Sequence, residues 1–247
     1  MLNYARRFAL FLAGLPLIYT CFGCGGMKTT PPATNTASLR VVQGNADAQT
    51  VNVLVDGMLT SSNVAYLSTT GYMTVPSGTA MLDIQIPPPN ISPVHNVGLN
   101  LAANSHNTFI MDGCCPFEHS SIQLMDDTAP PPSGSAKLRV VDAFLSTTGM
   151  DFFVLPPGST PSGTPTFSAQ SFNSASAYLT LAAGTYDVFV TQTPPFGGPP
   201  GPVLFHTGAI TLSANQNRTV VILNLCSPGS CDTTGKTLTS LTLADLN

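Results

Sequence analysis

The tetrapeptide Leu39-Arg40-Val41-Val42 returns unchanged as Leu138-Arg139-Val140-Val141. The residues after each copy also repeat. Tyr72-Met73-Thr74-Val75-Pro76-Ser77-Gly78-Thr79 matches Tyr178-Leu179-Thr180-Leu181-Ala182-Ala183-Gly184-Thr185 position by position. Asn104-Ser105-His106-Asn107-Thr108 matches Asn215-Gln216-Asn217-Arg218-Thr219, His95 matches His206, and Leu101 matches Leu212. Such a chain is constrained to fold as two copies of one unit. The register drifts only in loops, where an inserted residue keeps its backbone solvated.

Each copy reads as strands. Val51-Asn52-Val53-Leu54-Val55 alternates apolar and polar residues before Asp56-Gly57, the period of a strand with one wet face. Pro76-Ser77-Gly78 turns the chain, and Pro87-Pro88-Pro89 lacks the N–H groups a ladder needs. Charged residues are only 8% of the 247, with 21 Gly and 22 Pro. Helices usually carry Glu and Lys on their wet faces, so this surface suits short strands and turns. The predicted class is all-β: two tandem immunoglobulin-like antiparallel β-sandwiches, residues 37–125 and 136–226, about the usual size of one such sandwich. A small antiparallel barrel is the structural alternative. Residues 126–135, with Pro130-Pro131-Pro132-Ser133-Gly134, read as a semi-rigid linker. Residues 227–247 read as a tail in which Leu238 to Leu246 offers one more strand, on an open sheet edge.

The first residues read as an export signal. Arg6 and Arg7 precede an apolar run from Phe8 to Tyr19, about a dozen residues and too short to span a bilayer comfortably. Cys24, after Gly23 and before Gly25-Gly26, resembles the lipidated cysteine of bacterial lipoproteins, with Cys21 as the second choice. Residues 1–23 are then the signal peptide and 24–36 a flexible tether. Two acyl chains anchor stably where one is marginal. The expected location is the cell envelope, on the outer membrane or cell surface.

The run Leu39-Arg40-Val41-Val42, a polar break, then Val51-Asn52-Val53-Leu54-Val55-Asp56-Gly57 resembles the opening of DUF4397, a bacterial domain family of unknown function. Members of that family are typically exported and often tandem. Gln43-Gly44 and Asp142-Ala143 stand where the family often has His-Ala, and Pro156-Pro157-Gly158 departs from its strand–turn pattern. The resemblance spans about residues 37–115 and 136–226. It implies a fold and brings no activity with it.

The motifs that carry chemistry are few. With Cys24 lipidated and Cys21 removed, Cys114, Cys115, Cys226 and Cys231 remain, an even number that in an exported chain points to disulfides. Cys226–Cys231 is the preferred pair, closed by Ser227-Pro228-Gly229-Ser230; Cys114 and Cys115 then form a vicinal bridge or a small local loop. Three pairings are open to four cysteines. Cys114, Cys115 and His119, with Glu118, are the weighed metal alternative, but adjacent cysteines fit a tetrahedral ion poorly. No metal and no cofactor are expected. His95 and His206 occupy equivalent places, so a shared structural role is the simpler reading. Asp83 and Asp187, the carboxylates best placed for glycoside chemistry, fill matching strand positions and are expected to face solvent. No catalytic residues are assigned and no enzyme is predicted.

Eight Lys and Arg, scattered over the chain, supply no basic stripe, so nucleic acid is excluded as a partner. Most aromatics of the second unit are expected in its core. Phe196 is the exception, set in Pro194-Pro195-Phe196-Gly197-Gly198-Pro199-Pro200-Gly201-Pro202, a stiff loop that presents an apolar side chain at little entropic cost. The predicted role is a non-catalytic structural, binding or adhesion module, held to the membrane by its lipid, with an envelope protein or polysaccharide as partner. The alternative is a secreted enzyme or small-ligand carrier using the crevice between the two units.

Overall fold

The computed structural model describes residues 35–88, 91–115, 118–146, 148–225 and 237–246, without the side chains of Cys114, Cys115 and Glu118. Residues 34–247 make one compact unit. The first module runs β1 (Thr36–Asn45), β2 (Thr50–Val55), β3 (Met58–Ala65), β4 (Ser68–Thr69), β5 (Met73–Pro76), β6 (Gly78–Ile86), β7 (Ile91–Leu101), β8 (His106–Cys115) and β9 (Glu118–Asp126). The second runs β10 (Ser135–Ala143), β11 (Met150–Leu155), β12 (Phe167–Gln170), β13 (Ser174–Ala175), β14 (Leu179–Ala182), β15 (Gly184–Gln192), β16 (Val203–His206), β17 (Ile210–Leu212), β18 (Asn217–Asn224) and β19 (Leu238–Leu246). The only helical turn among the described residues is a 3-10 turn at Ala46–Ala48, capped by Asn45.

Each module is a two-sheet sandwich, as the alternation and turns require. In the first, an inner sheet of order β4-β1-β8-β9, with β5 also on β1, faces an outer sheet of order β3-β2-β6-β7. The second repeats this with β13-β10-β18-β19, β14 on β10, against β12-β11-β15-β16, β17 on β15. Asp56 and Gly57, both at positive φ (50° and 75°), close the β2–β3 hairpin in the primed turn that matches strand twist. The sheets are mostly antiparallel, with one departure in each module. β1 pairs β8 in parallel, Arg40 opposite Thr108, and β10 pairs β18 likewise, Arg139 opposite Thr219. Parallel neighbours need a crossover. In the first module β2, β3, β6 and β7 supply it through the outer sheet.

The repeated tetrapeptide explains how the modules stack. Leu39 and Val41 point into the first sandwich with Phe109 and Met111, and Leu138 and Val140 into the second with Val220 and Ile222. Val42 and Val141 point the other way, into a third core with Ile110, Leu124, Ala143, Val221, Leu223 and Leu243. The two inner sheets therefore pack on each other, and the order of layers is outer, inner, inner, outer. With both faces covered, β1 and β10 are buried almost throughout, which is why the adjacent apolar pairs Val41-Val42 and Val140-Val141 break the alternation of a strand with one wet face. Gly44 is required at this seam: a Cβ there would lie 2.7 Å from Leu223 Cδ2 and 2.9 Å from the Met111 carbonyl.

β9 and β19 are equivalent edge strands. Asp126, read from sequence as the start of the linker, is the last residue of β9. Residues 127–134 pass between the modules and are tied to the second. Lys137 Nζ donates to Asp127 Oδ2 at 2.6 Å, and Asn217 Nδ2 to the Asp127 carbonyl at 2.6 Å.

Candidate binding site

The chain spends its scarce charges inside the seam. Arg40 is 3% exposed and Arg139 4%. Arg40 Nη2 donates to Asp245 Oδ1 at 2.6 Å, and Arg139 Nη2 to Asp126 Oδ1 at 2.5 Å, so each module's arginine holds the other module's aspartate. The remaining donors are also used. Arg40 Nη1 reaches the Ala244 carbonyl and Arg139 Nη1 the Met125 carbonyl. Each guanidinium also donates to its own module's threonine, Thr108 or Thr219, whose hydroxyl donates on to Asp126 or Asp245 at 2.6 Å. Tyr72 lies under Arg40 and Tyr178 under Arg139, each ring about 4.5 Å from the guanidinium carbon. Burial, followed by the neighbouring carboxylate in the case of Tyr72, pushes both phenols above their ordinary range. Two cations and two anions, with hydroxyls on the spare lone pairs, meet the conditions under which a buried ion pair is tolerated. This cluster is structural: its polar groups are turned on one another.

At the far end of the seam the pattern reverses. Asp112 on β8 and Asp142 on β10 are each 1% exposed, and the Oδ2 of each accepts no hydrogen bond. Ser120 donates to Asp112 Oδ1, and Asn173 Nδ2 donates to Ser120 Oγ at 2.9 Å across the seam. Burial, with the charge of Asp142 adding, raises the Asp112 carboxyl to about 7; burial raises Asp142 to about 6. A crevice of about 440 Å³ opens there, lined by Asp112, His119 and Ser120 of the first module and Leu145 and Phe172 of the second.

The duplicated histidines each cap an acid. His95 Nδ1 lies 2.7 Å from Asp83 Oδ1 and His206 Nδ1 2.9 Å from Asp187 Oδ2. The expectation that Asp83 and Asp187 face solvent is corrected: they are 8% and 5% exposed, covered by the imidazoles. Asn96 Nδ2 occupies His95 Nε2, and Thr207 Oγ1 donates to Asp187 rather than to His206. The geometry is that of a shielded carboxylate, with a ring over it in place of water. The two acids lie on separate outer sheets.

Phe196 is 98% exposed. Its loop and the loop around Pro161–Pro165 line a shallow groove of about 660 Å³ on the second module. Phe152 is buried in the second core, with Phe167, Tyr186 and Phe205 packed half-buried against it; Phe153 and Phe189 are buried outside that core, Phe189 stacked on His206, and Phe172 lines the seam crevice, so fewer aromatics fill the core than expected. Cys114 and Cys115 lie on β8, paired to β9 through Glu118, while Cys21, Cys24, Cys226 and Cys231 lie outside the described residues, as do residues 1–23, read from sequence as a signal peptide, and nearly all of residues 24–36, read as a tether. Among the described residues no group of three or more His, Cys, Asp or Glu could hold a metal ion, and no helix is long and apolar enough to cross a membrane.

The β1 motif, the Asp56-Gly57 hairpin and the pairing of β1 with β8 make the first module comparable with known families. Residues 37–153 match the family model of DUF4397, a domain of unknown function. The match takes in the first module from its second residue onward, β10, and β11 as far as Phe153, so the family resemblance of the sequence holds over that span. The second module repeats the strand order of the first, with β7 replaced by the two shorter strands β16 and β17. No curated protein matches the chain. Among solved structures, a leucine-rich repeat protein from Bacteroides thetaiotaomicron is similar at 12% identity and a TM-score of 0.21, over 78% of this chain and 26% of that one. The chain thus spans about a quarter of that protein's length.

Proposed function

We propose that the chain is a non-catalytic envelope lipoprotein that engages a protein or polysaccharide partner through the loop carrying Phe196. The observation that carries this reading is the exposure of Phe196 on a proline-stiffened loop, an apolar side chain with no core to fill. Its position supports the same reading. Thr36 pairs with Pro76 and Asn45 with Gly113, so the chain enters the fold at one end of β1 and the β8–β9 connection lies at the other. Gln192, just before the Phe196 loop, pairs with Met150 at that second end. A chain tethered through residues 24–36 and acylated at Cys24 would hold the loop away from the membrane.

Two measurements test this. Mass spectrometry of the native N-terminus should find Cys24 diacylated; an unmodified N-terminus elsewhere removes the anchor. Affinity capture from envelope extracts, compared between the unmodified chain and Phe196→Ala, should recover a component that the variant loses while its melting temperature stays unchanged. Recovery of the same components by both overturns the assignment of the loop.

A further inference from the structure

We propose that the crevice at the far end of the seam binds a small organic cation, an ammonium group carried on an apolar body. The floor of the crevice is Asp112, contributed by β8 and 1% exposed. Its Oδ1 is occupied by Ser120, and its Oδ2 accepts nothing. Asp142, also 1% exposed with an unpartnered Oδ2, adds a second negative charge nearby. A carboxylate so buried is costly unless a proton or a cation neutralises it.

The chain does not supply that cation among its described residues. Their Lys and Arg are Arg40, Lys137, Arg139 and Arg218. Arg40, Arg139 and Lys137 are committed to Asp245, Asp126 and Asp127 at the opposite end. Arg218 sits there too, beside the Leu246 carbonyl. Among the described residues the seam is therefore neutralised at one end and electronegative at the other. A proton is the default neutraliser, as the raised Asp112 carboxyl indicates. A hard metal ion fits poorly, since it wants six or more oxygens and the described residues assemble no cluster of three ligating side chains. An ammonium group needs only one strong acceptor and neighbouring hydroxyl or amide oxygens. Ser120 Oγ stands beside Asp112, and Asn173 Oδ1 is unpartnered. Leu145 and Phe172 form the apolar wall on the second module, where a hydrocarbon body can be buried and a ring can face the cation. His119, exposed on β9 across from Gly113, also lines the crevice.

The crevice is independent of the Phe196 loop, so Phe196→Ala serves as a control that binds unchanged. The test titrates the purified chain at pH 8 with benzylammonium and, separately, with its neutral analogue benzyl alcohol, read by NMR shifts. Benzylammonium should bind saturably and at least about tenfold more tightly than benzyl alcohol, and Asp112→Asn should weaken the ammonium by about tenfold or more while leaving the alcohol unaffected. Equal affinity for the two probes, or no saturable binding of benzylammonium at millimolar concentration, overturns the proposal. The comparison of probes on the unmodified chain decides it even if Asp112→Asn fails to fold.

Discussion

Arg40 Nη2 donates to Asp245 Oδ1 at 2.6 Å, across 205 residues of chain. Arg139 and Asp126 make the same bond in the reverse sense, so the two modules exchange partners about a near two-fold relation. The repeat in the sequence is thus also a repeat of the interface: Leu39 and Val41 build a sandwich, and Arg40 and Val42 join it to its copy.

Removing one partner of such a pair leaves the other buried and unneutralised, at a cost of about 3–5 kcal/mol. Arg40→Met and Asp245→Leu should each lower the melting temperature by on the order of 10 °C in a domain of this size. The double variant should be more stable than either single one, because it buries no lone charge. Thermal melts of the four proteins check this; additive losses would mean the pair is not coupled.

Gly44→Ala should destabilise by about 1–3 kcal/mol, since the new methyl meets Leu223 and the Met111 carbonyl at the centre of the seam. Combined with Leu223→Ala, the loss should be less than the sum of the two. Denaturant midpoints read both.

The far end of the seam sets the pH dependence. Below about pH 4 the Asp112 carboxyl is protonated in both the folded and unfolded chains, and its contribution is fully present. As pH rises the unfolded chain releases this proton first, and the folded chain holds it to about 7. Stability should therefore fall between about pH 4 and 7, by on the order of 4 kcal/mol for Asp112. Asp142, raised to about 6, acts in the same direction. Asp112→Asn should flatten this slope and be more stable than the unmodified chain at pH 8. Urea denaturation at several pH values measures it.

Much of this was legible in the sequence. The copies of β1, the Tyr72 and Tyr178 segments and the Thr108 and Thr219 turns align without gaps, and they place six of the eight residues of the ion cluster. The aspartates were missed because β9 was not recognised. Ile122-Gln123-Leu124-Met125-Asp126 and Leu241-Thr242-Leu243-Ala244-Asp245 share a period-two pattern ending in Asp, and that signal was available. The apolar doublets Val41-Val42 and Val140-Val141 also held unread information: a strand without alternation has both faces covered. Burial of Asp83 and Asp187 was not legible, because an aspartate at a strand position alternates in the same way whether water or an imidazole covers it. The crevice was not legible either, since its walls come from β8, β9 and two loops of the other module.

The central claim is that the two modules fold and melt as one body, joined by a shared core and exchanged ion pairs. Differential scanning calorimetry of the purified chain tests it most directly. A single transition whose calorimetric and van't Hoff enthalpies agree is the predicted result. Two resolvable transitions, or a calorimetric enthalpy about twice the van't Hoff value, would contradict it.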